Sequence, residues 1–271
     1  MTDIAHAFDH GKAFIAFVTA GDPTIDESIA YAQALVEGGA DLIELGIPFW
    51  DPIAEGPVIQ AANVRALTAG ANVASVFEMG GRLSQLVDVP LVFLTYLNPV
   101  FHMGYERFFA RCAEAGISGV IIPDLPFEEQ PEVRPAAESA GVDIITMVAP
   151  TSAERVHQIA EQATGFVYAV SSMGVTGVRS SITTDIAAMV AQIRLFTKTP
   201  VGIGFGIATP QQAAEMAQFG DAVIVGSQIV SIIAENPHDA SPYLRDYAAT
   251  IKHAIENGGR SHGTAPSASS S

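Results

Sequence analysis

Cysteine is almost absent from this sequence of 271 residues, and the only one is Cys112. A disulfide framework within the chain is therefore excluded, and the helical pattern around Cys112 favours a small buried hydrophobe over a nucleophile. Basic residues are also few, with 13 lysines and arginines against 29 acidic residues and a net charge of −16. Such a charge repels phosphate backbones and anionic lipid, and it argues against nucleic acids and membrane surfaces as partners.

Long apolar runs are missing as well. No segment approaches the ~18 consecutive apolar residues of a membrane span, and the first residues, MTDIAHAFDHG, carry acidic side chains where a signal peptide is basic. These two features predict a cytoplasmic protein. An anionic substrate would have to be held by backbone dipoles or single cations, because no broad basic surface is available.

Eight short apolar runs alternate with amphipathic helical stretches along the chain. Most of the runs are continuous, which is typical of parallel strands that are buried on both faces. In order, they are AFIAFVTAG, LIELGIP, PLVFLTY, GVIIPD, DIITMVAP, FVYAVS, PVGIGFG and DAVIVG.

The alternation predicts an α/β fold, and a single (β/α)8 barrel over residues 1–257 is its simplest closed form. A doubly wound open sheet is the alternative, since periodicity does not report closure. The first segment, DIAHAFDHG, is interpreted as a helix that plugs the bottom of the barrel. The low-complexity tail, residues 258–271, is expected to be disordered.

Two connections are too long for plain turns, namely PFWDPIAEGPVIQ after the second run and SSMGVTGVRSSITTD after the sixth. Long loops at the carboxyl ends of barrel strands commonly bind and cover substrates. Glu44 lies in the second run between Ile43 and Leu45, so we expect it to point into the barrel mouth. Burial there would raise its pKa toward neutrality, where a carboxyl group can both give and take protons. A structural carboxylate with a buried partner is the alternative.

The loop after the second run adds Asp51 and Glu55, and Pro48, Pro52 and Pro57 stiffen it. One carboxylate on a rigid strand and another on a loop suit bifunctional proton chemistry. The alternatives are that Asp51 only sets a turn and that Glu55 is solvated.

Glycines follow each of the last three strands, in GVTG (174–177), GFG (204–206) and GS (226–227). Glycine lets backbone N–H groups approach a phosphate closely, and the helix predicted from Ser227 adds the positive end of its dipole. The loops after the seventh and eighth strands form the usual phosphate site of barrels. The pattern therefore predicts a phosphate ligand that is bound without lysine.

Lysine is scarce, and its positions exclude one mechanism. Lys12 and Lys198 precede strands and Lys252 lies in the last helix, so no lysine is expected to form a Schiff base at the catalytic face. The seven histidines are scattered, and together with the single cysteine they form no zinc-binding cluster. We expect neither a metal nor a cofactor.

Several segments resemble, in order, the signature segments of the tryptophan synthase alpha family. The similarity runs from about Phe14 to Ile233 and includes the specific combination of ELGIPF followed by DP and GP. It implies a barrel that cleaves indole-3-glycerol phosphate into indole and glyceraldehyde 3-phosphate for tryptophan biosynthesis. The segments are LIELGIPFWDPIAEGPVIQ, FLTYLNPVF, GVIIPDLPFEE, FVYAVSSMGVTGVRSS, GFGIATPQQ and IVGSQIV.

The resemblance implies roles for individual residues. Glu44 matches the catalytic acid–base glutamate, and Glu55 stands where the best-known members have the aspartate that accepts the indole N–H. Thr176 matches the threonine of the lid. The phosphate-binding positions are Gly177, Gly206, Gly226 and Ser227, and the positions that line the indole pocket are Phe17, Ile59, Leu94, Tyr96, Tyr168 and Phe205.

The sequence departs from the family pattern at Glu55, whose extra methylene displaces the carboxylate by ~1 Å, and at Trp50, where a small serine is common. Ser172 stands where some members have arginine in the lid. The resemblance implies a pyridoxal-phosphate-dependent beta subunit as partner, in an α2β2 assembly. Another phosphate-binding barrel enzyme and a non-catalytic subunit that only activates the beta subunit are the alternatives.

Overall fold

The computed structural model describes residues 1–149, 155–170, 179–204 and 206–258. Within them, nine strands form one parallel sheet in the order β5-β4-β3-β2-β1-β9-β8-β7-β6. The strands are β1 (Ala13–Thr19), β2 (Leu42–Gly46), β3 (Leu91–Leu94), β4 (Ile117–Ile121), β5 (Asp143–Ile145), β6 (Met147–Val148), β7 (Val167–Val170), β8 (Val201–Gly204) and β9 (Ala222–Val225).

Closure of the sheet depends on β5 and β6, which are two parts of the fifth predicted strand, separated only by Thr146. β5 pairs with β4, and β6 pairs with β7. The Thr146 carbonyl accepts a hydrogen bond from the Tyr168 N–H at 3.0 Å, so the ladder continues across the interruption. The eight predicted strands therefore form a (β/α)8 barrel, and the open doubly wound sheet is excluded.

Helices surround this barrel in the described part of the chain. Several begin with the expected caps: Thr24 caps α1, while Asn72 and Thr209 form capping boxes at α3 and α9. The helices are α1 (Ile25–Glu37), α2 (Pro57–Thr68), α3 (Val73–Leu83), α4 (Leu97–Met103), α5 (Tyr105–Glu114), α6 (Gln130–Ala140), α7 (Val156–Glu161), α8 (Arg179–Arg194), α9 (Pro210–Met216), α10 (Ser227–Glu235) and α11 (Ser241–Gly258), with 3-10 helices at Ile4–Phe8 and Phe127–Glu129.

Alternate residues of each strand face opposite sides of the barrel wall. Phe14, Ala16 and Val18 of β1 point outward and pack with the helices in the larger core. Ala13 and Ile15 point inward and meet residues of the other strands in a separate inner core. Both layers exclude water, which explains why the sequence shows continuous apolar runs where a half-exposed sheet would alternate.

The 3-10 helix Ile4–Phe8 closes the amino end of the barrel, as predicted for the first segment. Ile4 and Ala7 are buried in the inner core. Gly119 of β4 makes room for this plug, because a Cβ atom there would lie 2.8 Å from Ile4 Cδ1. Lys12 also lies at this end, where its Nζ donates to the Gly220 carbonyl at 2.6 Å.

The carboxyl-terminal boundary differs slightly from the prediction. Gly258, which was assigned to the tail, is the last residue of α11 and packs so closely that an added Cβ atom would lie 2.6 Å from the Ala214 carbonyl oxygen. Residues 259–271 lie outside the described residues. No helix in the described ranges is long and apolar enough to cross a membrane.

Candidate active site

A cavity of about 290 Å³ opens at the carboxyl ends of the barrel strands. Its walls come from strand ends, from the loop after β2 and from the beginnings of α2 and α10. The lining residues are Phe17, Glu44, Ala54, Glu55, Gly56, Ile59, Leu94, Pro123, Met147, Tyr168, Val170, Gly206, Ile224, Gly226 and Ser227. Most of them are apolar, so the cavity suits a flat, largely apolar group with a few polar attachment points.

Glu44 lies in the floor of this cavity. It follows the inward-facing Leu42 by two residues on β2 and pairs with Phe17 of β1, so it shares the inward face. Its side chain is 1% exposed, and Oε2 has no hydrogen-bond partner among the described residues. Burial, and secondly the charge of Glu55, raises the pKa of Glu44 to about 8. Glu44 is therefore protonated at neutral pH.

The alternative interpretation of Glu44, a structural carboxylate with a buried cationic partner, finds no support in the described part of the chain, where no ion pair involves it. An ionised carboxyl group that is buried without a partner destabilises a fold, so such a group is usually neutral. Carboxyl groups in these surroundings are concentrated at functional sites. The surroundings of Glu44 favour a group that holds a proton ready for transfer.

Glu55 faces the same cavity from the loop that leads into α2. Its Oε2 accepts a hydrogen bond from Asn63 Nδ2 at 2.6 Å, and its carbonyl accepts one from Gln60 Nε2 at 2.8 Å. Burial raises the pKa of Glu55, while hydrogen bonds from Asn63 and Tyr96 oppose that rise by favouring the charged form. Glu55 is thus held in place, which contradicts the interpretation that it is simply solvated.

Asp51, from the same loop, does not join this pair. It is exposed and is not among the residues that line the cavity. The cavity accordingly holds two carboxyl groups with different surroundings. Oε2 of Glu44 has no hydrogen-bond partner among the described residues, whereas the Glu55 carboxylate accepts hydrogen bonds from neighbouring side chains. Such a pair can supply a proton from one side of a bound ring and a negative charge at the other.

Of the residues expected to surround the indole ring, Phe17, Ile59, Leu94 and Tyr168 line the cavity. Tyr168 is close enough to Glu44 for that group's charge to add to burial in raising the pKa of its hydroxyl.

Tyr96 lies elsewhere, behind the loop after β2. Its hydroxyl accepts a hydrogen bond from the Ala54 N–H at 3.1 Å, and its ring stacks on Phe49 with centroids 5.2 Å apart. It supports the loop and is absent from the residues that line the cavity. Phe205 lies outside the described residues.

The predicted phosphate site occupies another part of the same cavity, where Gly206, Gly226 and Ser227 meet. Gly206 has a φ of +74°, a conformation that favours glycine. Gly226 is the N-cap of α10 and has no side chain to cap the first turn, so the N–H groups of α10 are available to an anion. Gly177 and Thr176 lie outside the described residues, as does Ser172.

Several lining residues were not anticipated from the sequence. Met147, Val170 and Ile224 stand on inward positions near the ends of their strands. Inward-facing residues alternate with outward-facing ones along each strand, and this rule places Glu44 and these three residues inside the barrel. Counting every second residue along each strand would therefore have identified them. Asn63, which contacts Glu55, is the only polar residue among the buried residues of α2.

In the ranges that the structure describes, no three histidine, cysteine, aspartate or glutamate side chains are grouped so as to hold a metal ion. The chemistry that the described cavity offers is proton transfer by Glu44, charge stabilisation by Glu55 and anion binding by backbone N–H groups.

Comparisons with known proteins point to one family along the whole barrel. The family model described as tryptophan synthase alpha chain matches residues 5–258. The tryptophan synthase alpha chain of Lactiplantibacillus plantarum is 48% identical over 257 residues, covering 94% of this chain and 97% of that protein. The structure of tryptophan synthase subunit alpha from Legionella pneumophila superimposes with a TM-score of 0.86 at 34% identity, over 95% of this chain and 99% of that one. A chain in the tryptophan synthase complex of Pyrococcus furiosus gives a TM-score of 0.81 at 30% identity, over 89% of this chain and 98% of that one.

Proposed function

Because the chain belongs to the tryptophan synthase alpha chain family, a family of lyase subunits, we propose that its cavity cleaves indole-3-glycerol phosphate by a retro-aldol reaction. The products are indole and glyceraldehyde 3-phosphate. The observation that carries the proposal is the pairing of two carboxyl groups in one apolar cavity, with Glu44 protonated and Glu55 hydrogen-bonded. Neither a Schiff base nor a metal ion is needed for this reaction.

The reaction begins with proton transfer from the Glu44 carboxyl group to ring carbon C3 of the substrate. The positive charge that develops is shared with the ring nitrogen, whose N–H donates to the Glu55 carboxylate. The Glu44 carboxylate then takes the proton of the side-chain hydroxyl group. The bond between C3 and the side chain breaks, its electron pair restores the indole ring, and an aldehyde forms. Glu44 thereby regains a proton, so the reaction requires no proton exchange with solvent.

The phosphate of the substrate binds at Gly206, Gly226 and Ser227, where the dipole of α10 attracts negative charge. This position fixes one end of the substrate, while Phe17, Ile59 and Leu94 contact the ring. Binding both ends holds the reacting carbon near Glu44, and such alignment lowers the entropic part of the barrier.

We expect the purified chain to release indole from indole-3-glycerol phosphate, and a Ser227→Asp variant to raise KM about 10- to 100-fold because a carboxylate would repel the phosphate. Aspartate suits the first turn of a helix, so the variant should fold. The measurement is steady-state indole formation, with Ser241→Asp at the first residue of α11 as the matched control. An unchanged KM for Ser227→Asp would contradict the phosphate site. The absence of indole from the unmodified chain, combined with stimulation of a beta subunit, would favour the non-catalytic alternative.

We also propose that the chain pairs with a tryptophan synthase beta subunit in an α2β2 assembly, in the cytoplasm, as its family membership and the Pyrococcus furiosus complex suggest. Large apolar side chains are exposed beyond the carboxyl ends of β2 and β3, among them Trp50 at 66% and Phe101 at 67%. An exposed apolar patch next to a cavity is typical of a protein interface.

Replacing Phe101 by serine should therefore weaken binding of the beta subunit by about 10-fold, the loss usual for an aromatic residue in an interface. The affinity is measured by titrating the beta subunit against the alpha chain. Leu195→Ser is the control, because Leu195 is 76% exposed in the segment that precedes β8, at the opposite end of the barrel. Equal affinities for the two variants would place the interface elsewhere.

A further inference from the structure

A polar side chain is buried on the face of α2 that packs against the barrel. Its buried residues are Ala62, Asn63 and Ala66, and Asn63 is 3% exposed. Ala62 belongs to the small cluster around Phe17 and Val230. A buried amide without a partner destabilises a fold, so an asparagine at this position needs a reason. Within the described ranges, the hydrogen bond of this side chain leads to the cavity wall: Nδ2 donates to Glu55 Oε2 at 2.6 Å.

The main chain around Glu55 is held by other groups. The Ala54 N–H donates to the Tyr96 hydroxyl at 3.1 Å, and Gln60 donates to the Glu55 carbonyl at 2.8 Å. These two bonds fix where the loop runs, but they leave the three side-chain torsions of Glu55 free. Two side chains act on the carboxylate itself, namely Asn63 of α2 and Tyr96, which also supports the loop.

We propose that Asn63 is a positioning residue that orients the Glu55 carboxylate toward the ring nitrogen of the substrate. This inference rests on the proposed function, because it assigns a support to one of its two carboxyl groups. Glutamate has one more rotatable bond than aspartate, and a charge-assisted hydrogen bond from a rigid helix removes that freedom.

The donor must be uncharged and fixed. A lysine or arginine in its place would neutralise the charge that Glu55 offers to the developing cation, whereas an amide holds the carboxylate and leaves its charge in place. Asn63 sits in the second turn of a helix whose own position is set by packing on the barrel. Its amide is therefore part of the rigid scaffold, while Glu55 belongs to a loop.

The test compares Asn63→Ala and Asn63→Asp, each in the unmodified background and in Glu55→Ala. Asn63→Asp keeps the side-chain volume, so it remains informative if Asn63→Ala fails to fold. Both single variants should lower kcat about 10- to 100-fold, as expected when a reacting group is misplaced by about 1 Å, with KM changed less than threefold. Asn63→Asp should lose the more activity as pH rises, because a second carboxylate then faces Glu55.

In the Glu55→Ala background, where residual turnover is followed with enzyme in excess, the Asn63 substitutions should cost no further activity, because their effect passes through Glu55. The same further loss in both backgrounds would show that Asn63 acts by another route, and the inference would be wrong. It would also be wrong if Asn63→Asp kept kcat within twofold while Glu55→Ala was impaired. Full activity of Glu55→Ala would instead contradict the proposed role of Glu55.

Discussion

Replacing Glu44 by glutamine is expected to lower the kcat for indole release by about 10³- to 10⁴-fold, the upper part of the range for loss of a general acid–base group. Glutamine has nearly the shape of glutamate but carries no transferable proton. Because Glu44 is 1% exposed in an apolar surrounding, the neutral amide should be tolerated as well as the protonated acid it replaces. Turnover of indole-3-glycerol phosphate, followed by indole absorbance, measures the effect.

The matched control for this variant is Asp143→Asn. Asp143 is partly buried, and burial is the main cause of its raised pKa, as it is for Glu44. Unlike Glu44, Asp143 is the first residue of β5 and lies at the amino end of the barrel. Its replacement should leave kcat unchanged. If Glu44→Gln kept more than a tenth of the activity, Glu44 would not be the proton donor.

If Glu44 is the proton donor, the activity of the unmodified chain should also depend on pH. The burial-raised pKa of Glu44, about 8, means that the acid form, which starts the reaction, is lost as pH rises through about 8. The kcat/KM, which reports the free enzyme, should therefore fall on the alkaline side with a midpoint near that value. The stability of the folded chain also decreases as pH rises. The unfolded chain ionises Glu44 near pH 4.5 and the folded chain near pH 8, so the free energy of unfolding falls between these two values. Glu44→Gln should accordingly be more stabilising at pH 9 than at pH 5.

Replacing Arg65 by methionine is expected to lower the free energy of unfolding by about 2 to 4 kcal/mol. Arg65 of α2 makes two hydrogen bonds to Asp22, Nε to Oδ1 at 2.8 Å and Nη2 to Oδ2 at 2.7 Å. The Asp22 side chain is 1% exposed, so the variant would leave a buried carboxylate without its cation. Breaking a buried pair costs about 3 to 5 kcal/mol, and we lower that range because the Arg65 side chain is 37% exposed.

Urea unfolding measures this effect, and Arg82→Met supplies the control. Arg82 pairs with Asp26 at the same distance of 2.7 Å, but both side chains are largely exposed, so its loss should cost less than about 1 kcal/mol. Equal losses for the two variants would contradict the importance of burial. Since the pair joins the loop after β1 to α2, Arg65→Met should also loosen the helix that carries Asn63.

Much of the barrel could be predicted because its signals are local. Each strand is a run of apolar residues, and inward positions recur with a period of two, so Glu44 was placed in the mouth from its two neighbours alone. The glycines at 206 and 226 predict a phosphate site by equally local means, because a backbone that approaches an anion closely must lack a side chain, and both glycines line the cavity.

Other features depend on residues that are distant in the sequence. The position of Tyr96 behind the loop, its bond to Ala54 and the bond between Asn63 and Glu55 result from how the loop after β2 lies on the barrel. The pairing of Asp22 with Arg65 joins residues 43 positions apart. Periodicity describes only neighbours along the chain, and so it contains no information about these contacts.

The sequence by itself determined the eight strands, their inward and outward faces, the absence of a lysine near the site and the family. Only the tertiary structure decided that the sheet closes through β5 and β6, and that Glu44 and Glu55 share one cavity. The sequence predicted a raised pKa for Glu44, but the value near 8 depends on complete burial and on the neighbouring charge of Glu55, which only the folded chain provides. Burial and charge proximity are properties of the folded chain, and the residue types alone do not specify them.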